Sequence, residues 1–191
     1  MSTSDPSLKG QFLVADKRLR DPNFFRSVVL IVEHGEDGAM GLVVNRPSAV
    51  SVSRALSEHF TLPEKEDMVY VGGPVEPAAL FVLHTSDDLE SNDVPVVPGL
   101  FIGSSPDIFQ QVVEQITEGT GPLEYRVFSG CAGWSPGQLE SELDRGDWHP
   151  VPATRDGILP ADPYRLWDDL VELVHEAHRM LPPPDSDPRW N

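Results

Sequence analysis

The sequence predicts an α+β protein: one domain in which a hairpin-rich sheet is flanked by about three or four helices. Three observations carry that expectation. The β-branched run Arg26–Glu33 meets a Gly35-Glu-Asp-Gly38 turn and a returning apolar segment, Ala39–Asn45. Two amphipathic stretches open on the pairs Ser105-Pro106 and Asp162-Pro163, the chemistry of a helix start. The 191 residues, 39% hydrophobic and 24% charged, suffice for one packed core and are short for two.

In chain order, Leu8–Ala15 alternates as a strand with Phe12 and Val14 on one face. Asp21-Pro22-Asn23 is a turn signal. Arg26–Glu33 is too apolar for one wet face and reads as a central strand; Ala39–Asn45 is its antiparallel partner, stopped by Arg46-Pro47. Ser51–Phe60 fits a short helix. Met68–Val71 and Ala79–His84 read as strands separated by Gly72-Gly73-Pro74. The next helix is capped by Ser105, carries Ile108, Val112, Val113 and Ile116 inward, and ends at Gly119. Leu123–Phe128 is a strand leading through a glycine-rich corner into a further helix. After Trp148 the chain is proline-broken to Pro160. A long C-terminal helix then buries Leu166, Leu170, Leu173, Val174 and Ala177. Residues 1–7 read as a flexible N-terminus, 8–181 as the single domain, and the Pro-rich 182–191 as a disordered tail.

Composition excludes several functions. A net charge of −17, from 14 Lys+Arg against 31 Asp+Glu, disfavours direct nucleic-acid binding, because that affinity comes from cations that neutralise phosphates. Cys131 is the one cysteine, so no internal disulfide forms and a thiolate-built zinc site is out of reach. No apolar run approaches the ~20 residues of a membrane span, and residues 1–10 lack the apolar core of a secretory signal. A cytoplasmic protein is the expectation.

Gly133-Trp-Ser-Pro-Gly137 matches the nucleophile elbow G-x-S-x-G, with a strand before it and a helix after it. Its mechanism fails at Pro136, which has no N–H for an oxyanion hole. Ser135, Pro136 and Gln138 suit a helix start instead, with Ser135 as N-cap. Cys131 is expected to be a packed small hydrophobe rather than a reactive thiolate. Glu172-x-x-His175 has no second copy to build a di-metal site, and His175-Glu-Ala-His178 is one residue short of the zinc spacing. No catalytic residue, metal site or cofactor is therefore assigned.

Polar residues that interrupt or end apolar strands remain: Arg26, His34, Asn45, Arg46 and His84. With Gly72 and Gly73, whose backbone N–H groups suit an anion, and the Gly133–Trp134 corner, they could line one pocket. The candidate ligand-binding set is thus His34, Asn45, Arg46, Gly72, Gly73, His84, Gly133 and Trp134. Strand ends also carry such residues for purely structural reasons.

Several blocks in order resemble one family. They are Lys9–Ala15, Asp21-Pro-Asn-Phe24 with Arg26-Ser-Val-Val29, Gly38–Pro47, Val71-Gly-Gly-Pro-Val75, Phe81-Val-Leu-His84 and Ala132-Gly-Trp-x-x-Gly-Gln-Leu-Glu140. Together they are similar to the YqgE/AlgH family of bacterial proteins over roughly residues 8–150, with Trp167 extending the match. That resemblance implies a cytosolic protein with a mixed, mainly antiparallel sheet bent into a pseudo-barrel. It also brings the label of transcriptional regulator, which rests on one branch. Cys131 stands where relatives often carry an aromatic residue.

The expected function is a non-enzymatic regulatory or interaction domain that binds a protein partner or small molecule and bears on transcription only indirectly. The alternative is a hydrolase or transferase with a polar pocket around His84, Arg46 and the Gly72-Gly73 loop, with His34 as a further catalytic group. It requires those side chains to converge.

Overall fold

The structure, a computed structural model, describes residues 7–63, 65–86, 89, 95–119 and 121–180; the 182–191 tail lies outside them. The strands are β1 (Gln11–Ala15), β2 (Val28–Gly35), β3 (Gly38–Val43), β4 (Pro47–Ser51), β5 (Met68–Val71), β6 (Val75–His84), β7 (Phe101–Gly103), β8 (Tyr125–Trp134) and β9 (Trp148–Pro152). The helices are α1 (Val52–Ala55), α2 (Pro106–Glu118), α3 (Gln138–Asp144), α4 (Arg155–Ile158) and α5 (Leu166–Met180).

β2 and β3 pair as the sequence predicts, from Val29 opposite Val43 to Gly35 opposite Gly38. β2 is central, with β1 on its other side, which is why Val28–Val32 are buried on both faces. The main path runs β4-β5-β8-β3-β2-β1-β9, and β6 and β7 branch from β8. Among the described residues only β5 against β8 pairs in parallel, so the sheet is mixed and mostly antiparallel. It curls without closing, because β4 and β9 end the path.

β8 is the strand the others meet. Its first half lies between β5 and β6, and Ala132–Trp134 pairs with β3. The glycine-rich stretch is therefore strand, and the corner falls only at Ser135–Gly137. Gly130, at φ 68, lies where β8 passes from one set of partners to the other, and the Gly72-Gly73 link between β5 and β6 runs tightly against it. A Cβ on Gly72 would stand 2.2 Å from the Gly130 carbonyl oxygen, and one on Gly73 2.2 Å from the Cys131 backbone.

Several elements differ from their sequence-based expectation. β9 occupies the proline-broken stretch: Pro150 and Pro152 are tolerated because β9 is an edge strand that, among the described residues, pairs only with β1. The Ser51–Phe60 helix shrinks to α1 plus turns, with Ser51 as its cap. α3 starts at Gln138 with Gly137 before it, so the Ser135 hydroxyl is not its cap; half of the capping box survives, the Ser135 N–H donating to Gln138 Oε1 at 3.0 Å. Asp162 holds the Tyr164 N–H in a turn before α5 rather than capping it. The buried stripe of α5 is Leu166, Trp167, Val171 and Val174, while Leu173 and Ala177 face out. α2 has the predicted Ser105 cap, Pro106 and left-handed Gly119.

Two apolar clusters result. The larger fills the inside of the curl with β1–β3, Phe128, Trp134, Trp148 and α5; the smaller packs α1 and α2 on Val69, Val82 and Val127.

Candidate functional site

Two of the eight candidate residues, Asn45 and Arg46, meet at the turn between β1 and β2. Phe24 and Phe25 N–H groups bond the Asp21 carbonyl, and Asn23 N–H bonds Asp21 Oδ1 at 2.7 Å. Arg46, just before β4, clamps this turn from the far side. Its Nη1 donates to the Asn23 carbonyl and its Nη2 to that of Phe25 at 2.8 Å. Buried Asn45 ties the strand ends: Oδ1 accepts from the Val28 N–H at 2.9 Å and Nδ2 donates to the Arg26 carbonyl at 3.0 Å. Arg26, between them, has φ 53, a conformation that a residue with a Cβ adopts at a cost. That conformation accompanies a guanidinium set 4.6 Å over the Trp167 ring and paired with Asp168 at 2.6 Å.

These residues wall a hollow of about 410 Å³, lined by Arg26, Asn45, Arg46, Pro47, Val71, Tyr164 and Trp167. Its rim is apolar and open: Val71 and Tyr164 are 41% and 74% exposed. Trp167 is fixed by its indole N–H, which donates to the Ala15 carbonyl at 2.9 Å. An adjoining hollow of about 320 Å³ shares Pro47 and Tyr164 and adds Asp67, Tyr70, Tyr125, Arg126 and Pro163 among its walls. There Arg126 lies 4.3 Å over the Tyr70 ring and donates to the Ile158 carbonyl at 3.1 Å. Tyr125 donates to Asp67 at 2.6 Å; burial and that carboxylate push its phenol pKa well up.

Of the candidate set, Asn45 and Arg46 line the hollow and the others do not. His34 sits at the far end of the β2–β3 hairpin, opposite Ala39, roughly 20 Å from Asn45 at the usual strand rise. Its Nδ1 accepts the Leu8 N–H at 3.0 Å, so Nε2 carries the ring proton and donates to Glu140 at 2.9 Å. That bond holds the Glu140 carboxyl below its usual range. His84 is fully buried at the end of β6, stacked on Phe101 at 5.7 Å. The three side chains of the enzyme alternative are thus held apart. Gly72 is no anion nest, because its N–H donates to the Ser129 carbonyl at 2.8 Å. Burial raises the Cys131 thiol pKa, with Glu76 adding to it, as a packed cysteine should show.

Gly133 and Trp134 belong to a second cluster. Trp134 and Trp148 both donate to one oxygen of Glu142, at 2.9 and 2.8 Å, and Phe24 stacks on Trp134 at 6.1 Å. The Phe24 ring therefore joins this cluster to the turn that Arg46 clamps. Among the described residues no group of three or more His, Cys, Asp or Glu is placed to hold a metal, and no helix is long and apolar enough to cross a membrane.

Charge and periodicity pointed to Arg46 and Asn45, but not to Arg126 or Tyr164. Arg126 does stand inside the predicted strand 123–128, which is a usable signal; Tyr164 carries none.

The architecture and this strand-end hollow define a class, a small α+β protein with a curled, unclosed sheet. The profile of the AlgH-like family, DUF179, matches residues 12–179, and the chain belongs to that family. It is 42% identical over 174 residues to a UPF0301 protein of Myxococcus xanthus, covering 88% of this chain and 92% of that one. It is 39% identical over 166 residues to a UPF0301 protein of Methylococcus capsulatus, covering 85% and 89%. Among solved structures it is similar to the AlgH protein of Pseudomonas aeruginosa, with TM-score 0.69, 35% identity and coverage of 97% and 100%. Protein DIP2367 of Corynebacterium diphtheriae matches at TM-score 0.69 and 26% identity, with coverage of 96% and 92%.

Proposed function

We propose that the protein is a non-enzymatic regulatory or interaction domain that takes a small ligand or a protein partner at the hollow between Arg46 and Tyr164. Any influence on transcription is then exerted through that partner. One observation carries the reading: the hollow combines an apolar rim of Pro47, Val71, Tyr164 and Trp167 with polar side chains already fixed by the backbone. Asn45 and Arg46 are committed to carbonyl and N–H partners, so they can present a shape and a charge but are poor proton carriers. The hydrolase or transferase alternative draws no support from His34 and His84, which are occupied elsewhere. The charge of −17 favours indirect over direct action on DNA.

A thermal-shift screen against metabolites tests the reading, with Tyr164→Ala as the companion variant. A ligand at 100 times its Kd stabilises the fold by about 2.7 kcal/mol. The expected result is a shift in the wild type that Tyr164→Ala abolishes. Turnover of a bound compound, or tight sequence-specific DNA binding at physiological salt, would overturn it.

A further inference from the structure

Arg46 and Arg126 share an electrostatic peculiarity. Both are partly buried, and neither is in salt-bridge contact with a carboxylate of the described residues. Ion pairs form instead at Arg18, Arg26, Arg145, Arg155 and Arg165. Counter-charges are not scarce, since 31 acidic residues face 14 basic ones. A desolvated charge is ordinarily held in a contact ion pair, yet these two guanidinium groups touch only neutral carbonyls and an aromatic ring, while Asp21 acts on Arg46 and Asp67 on Arg126 from beyond salt-bridge contact. Burial depresses the pKa of both, the direction expected of cations short of compensation. Only Asp168 is taken up by another cation, Arg26; Asp67 and Asp21 accept from the neutral Tyr125 hydroxyl and Asn23 N–H and keep their charge. Glu66 and Asp67 line the second hollow without salt-bridge contact to Arg126.

Each arginine lines one of the two hollows that share Pro47 and Tyr164. We propose that the adjoining hollows form one binding site for a small organic oxyanion, a carboxylate or phosphate ester on an aromatic or apolar body. The anionic groups give Arg46 and Arg126 the contact ion pair that neither makes within the described residues, and Pro47, Val71 and Tyr164 pack the body. The volumes, about 410 and 320 Å³, suit a metabolite-sized ligand. The inference rests on the hollow being the binding site and adds the chemical class of what enters it.

The test is a titration followed by proton–nitrogen NMR at fixed ionic strength, with phenyl phosphate, benzoate, inorganic phosphate and neutral benzyl alcohol as probes. Phenyl phosphate or benzoate is expected to shift the Nε–H signals of Arg46 and Arg126 and the amides of Val71 and Tyr164, saturably. The tighter of the two identifies the oxyanion, and inorganic phosphate binds more weakly for want of a body. R126Q weakens binding about tenfold or more, as loss of a hydrogen bond to a charged group should. The exposed Arg54→Gln leaves it unchanged. Because Arg46 also clamps a turn, R46K, which keeps the charge, is compared with R46Q, and it binds the anion more tightly than R46Q does. Equal binding of benzyl alcohol would overturn the oxyanion while keeping the hollow as a ligand site. If no probe moves Val71 or Tyr164, the oxyanion proposal falls, while the hollow as a ligand or partner site is decided separately by the metabolite screen and Tyr164→Ala.

Discussion

Asn45 holds Arg26 by its backbone: the Nδ2 group donates to the Arg26 carbonyl at 3.0 Å, next to a residue whose φ is 53. The side chain so positioned covers Trp167 and meets Asp168 142 residues away. One buried amide thus fixes the start of β2, the end of β3 and a wall of the hollow.

Asn45→Ala should cost about 2–4 kcal/mol, because two hydrogen bonds are lost and the buried Val28 N–H is left without an acceptor. Asn45→Asp should recover only part, since a carboxylate accepts from Val28 but cannot donate to Arg26. Urea denaturation of the three proteins measures the order.

The shared carboxylate under Trp134 and Trp148 gives a spectroscopic prediction. Glu142→Ala leaves two buried indole N–H groups without their acceptor and should destabilise by about 2–3 kcal/mol. Tryptophan fluorescence should shift in the folded state, where the indole environment changes; an unchanged spectrum and midpoint would remove the carboxylate from its structural role.

Gly72→Ala should be severely destabilising, by about 3 kcal/mol or more, because the new Cβ meets the Gly130 carbonyl and backbone cannot yield cheaply. Gly121→Ala, where a Cβ meets nothing within 4 Å, is the control and should stay within about 0.5 kcal/mol. Thermal melts of the two variants decide it.

Acid stability should depend on Asp16. Burial opposes its ionisation, but hydrogen bonds from the Arg18 side chain and N–H and from His149 outweigh that and hold the carboxyl far below the usual range. A carboxyl depressed in the folded state contributes stability that is complete above the unfolded value of about 3.9 and is lost as pH falls through the folded one. Asp16→Asn should therefore lower Tm near neutrality and narrow the gap to wild type as pH falls below about 4. A constant gap across that range would contradict the assignment.

Local signals were legible where local chemistry suffices. Ser105, Pro106 and Gly119 bound α2 because caps are satisfied within one turn. The turn at Gly35–Gly38 gave the β2–β3 hairpin for the same reason. The parts that were not legible depend on distant partners. Pro150 and Pro152 read as breakers until β1 offers an edge that needs no N–H from them. The phase of α5 was misjudged at Leu173, because only contact with β1 and Arg26 shows that Trp167 and Val171 face inward. His84 read as a strand-end group at a pocket, whereas β7 and β8 bury it.

By itself, then, the sequence determined the family, the mixed α+β class, the β2–β3 hairpin, the α2 caps and the acidity that disfavours direct DNA contact. The tertiary structure decided that Asn45 and Arg46 meet Arg126 and Tyr164 around adjoining hollows, while His34 and His84 go elsewhere. The reason is physical: caps, turns and periodicity act within a few residues, whereas the lack of a contact ion pair shows only once every neighbour of a partly buried guanidinium is in place.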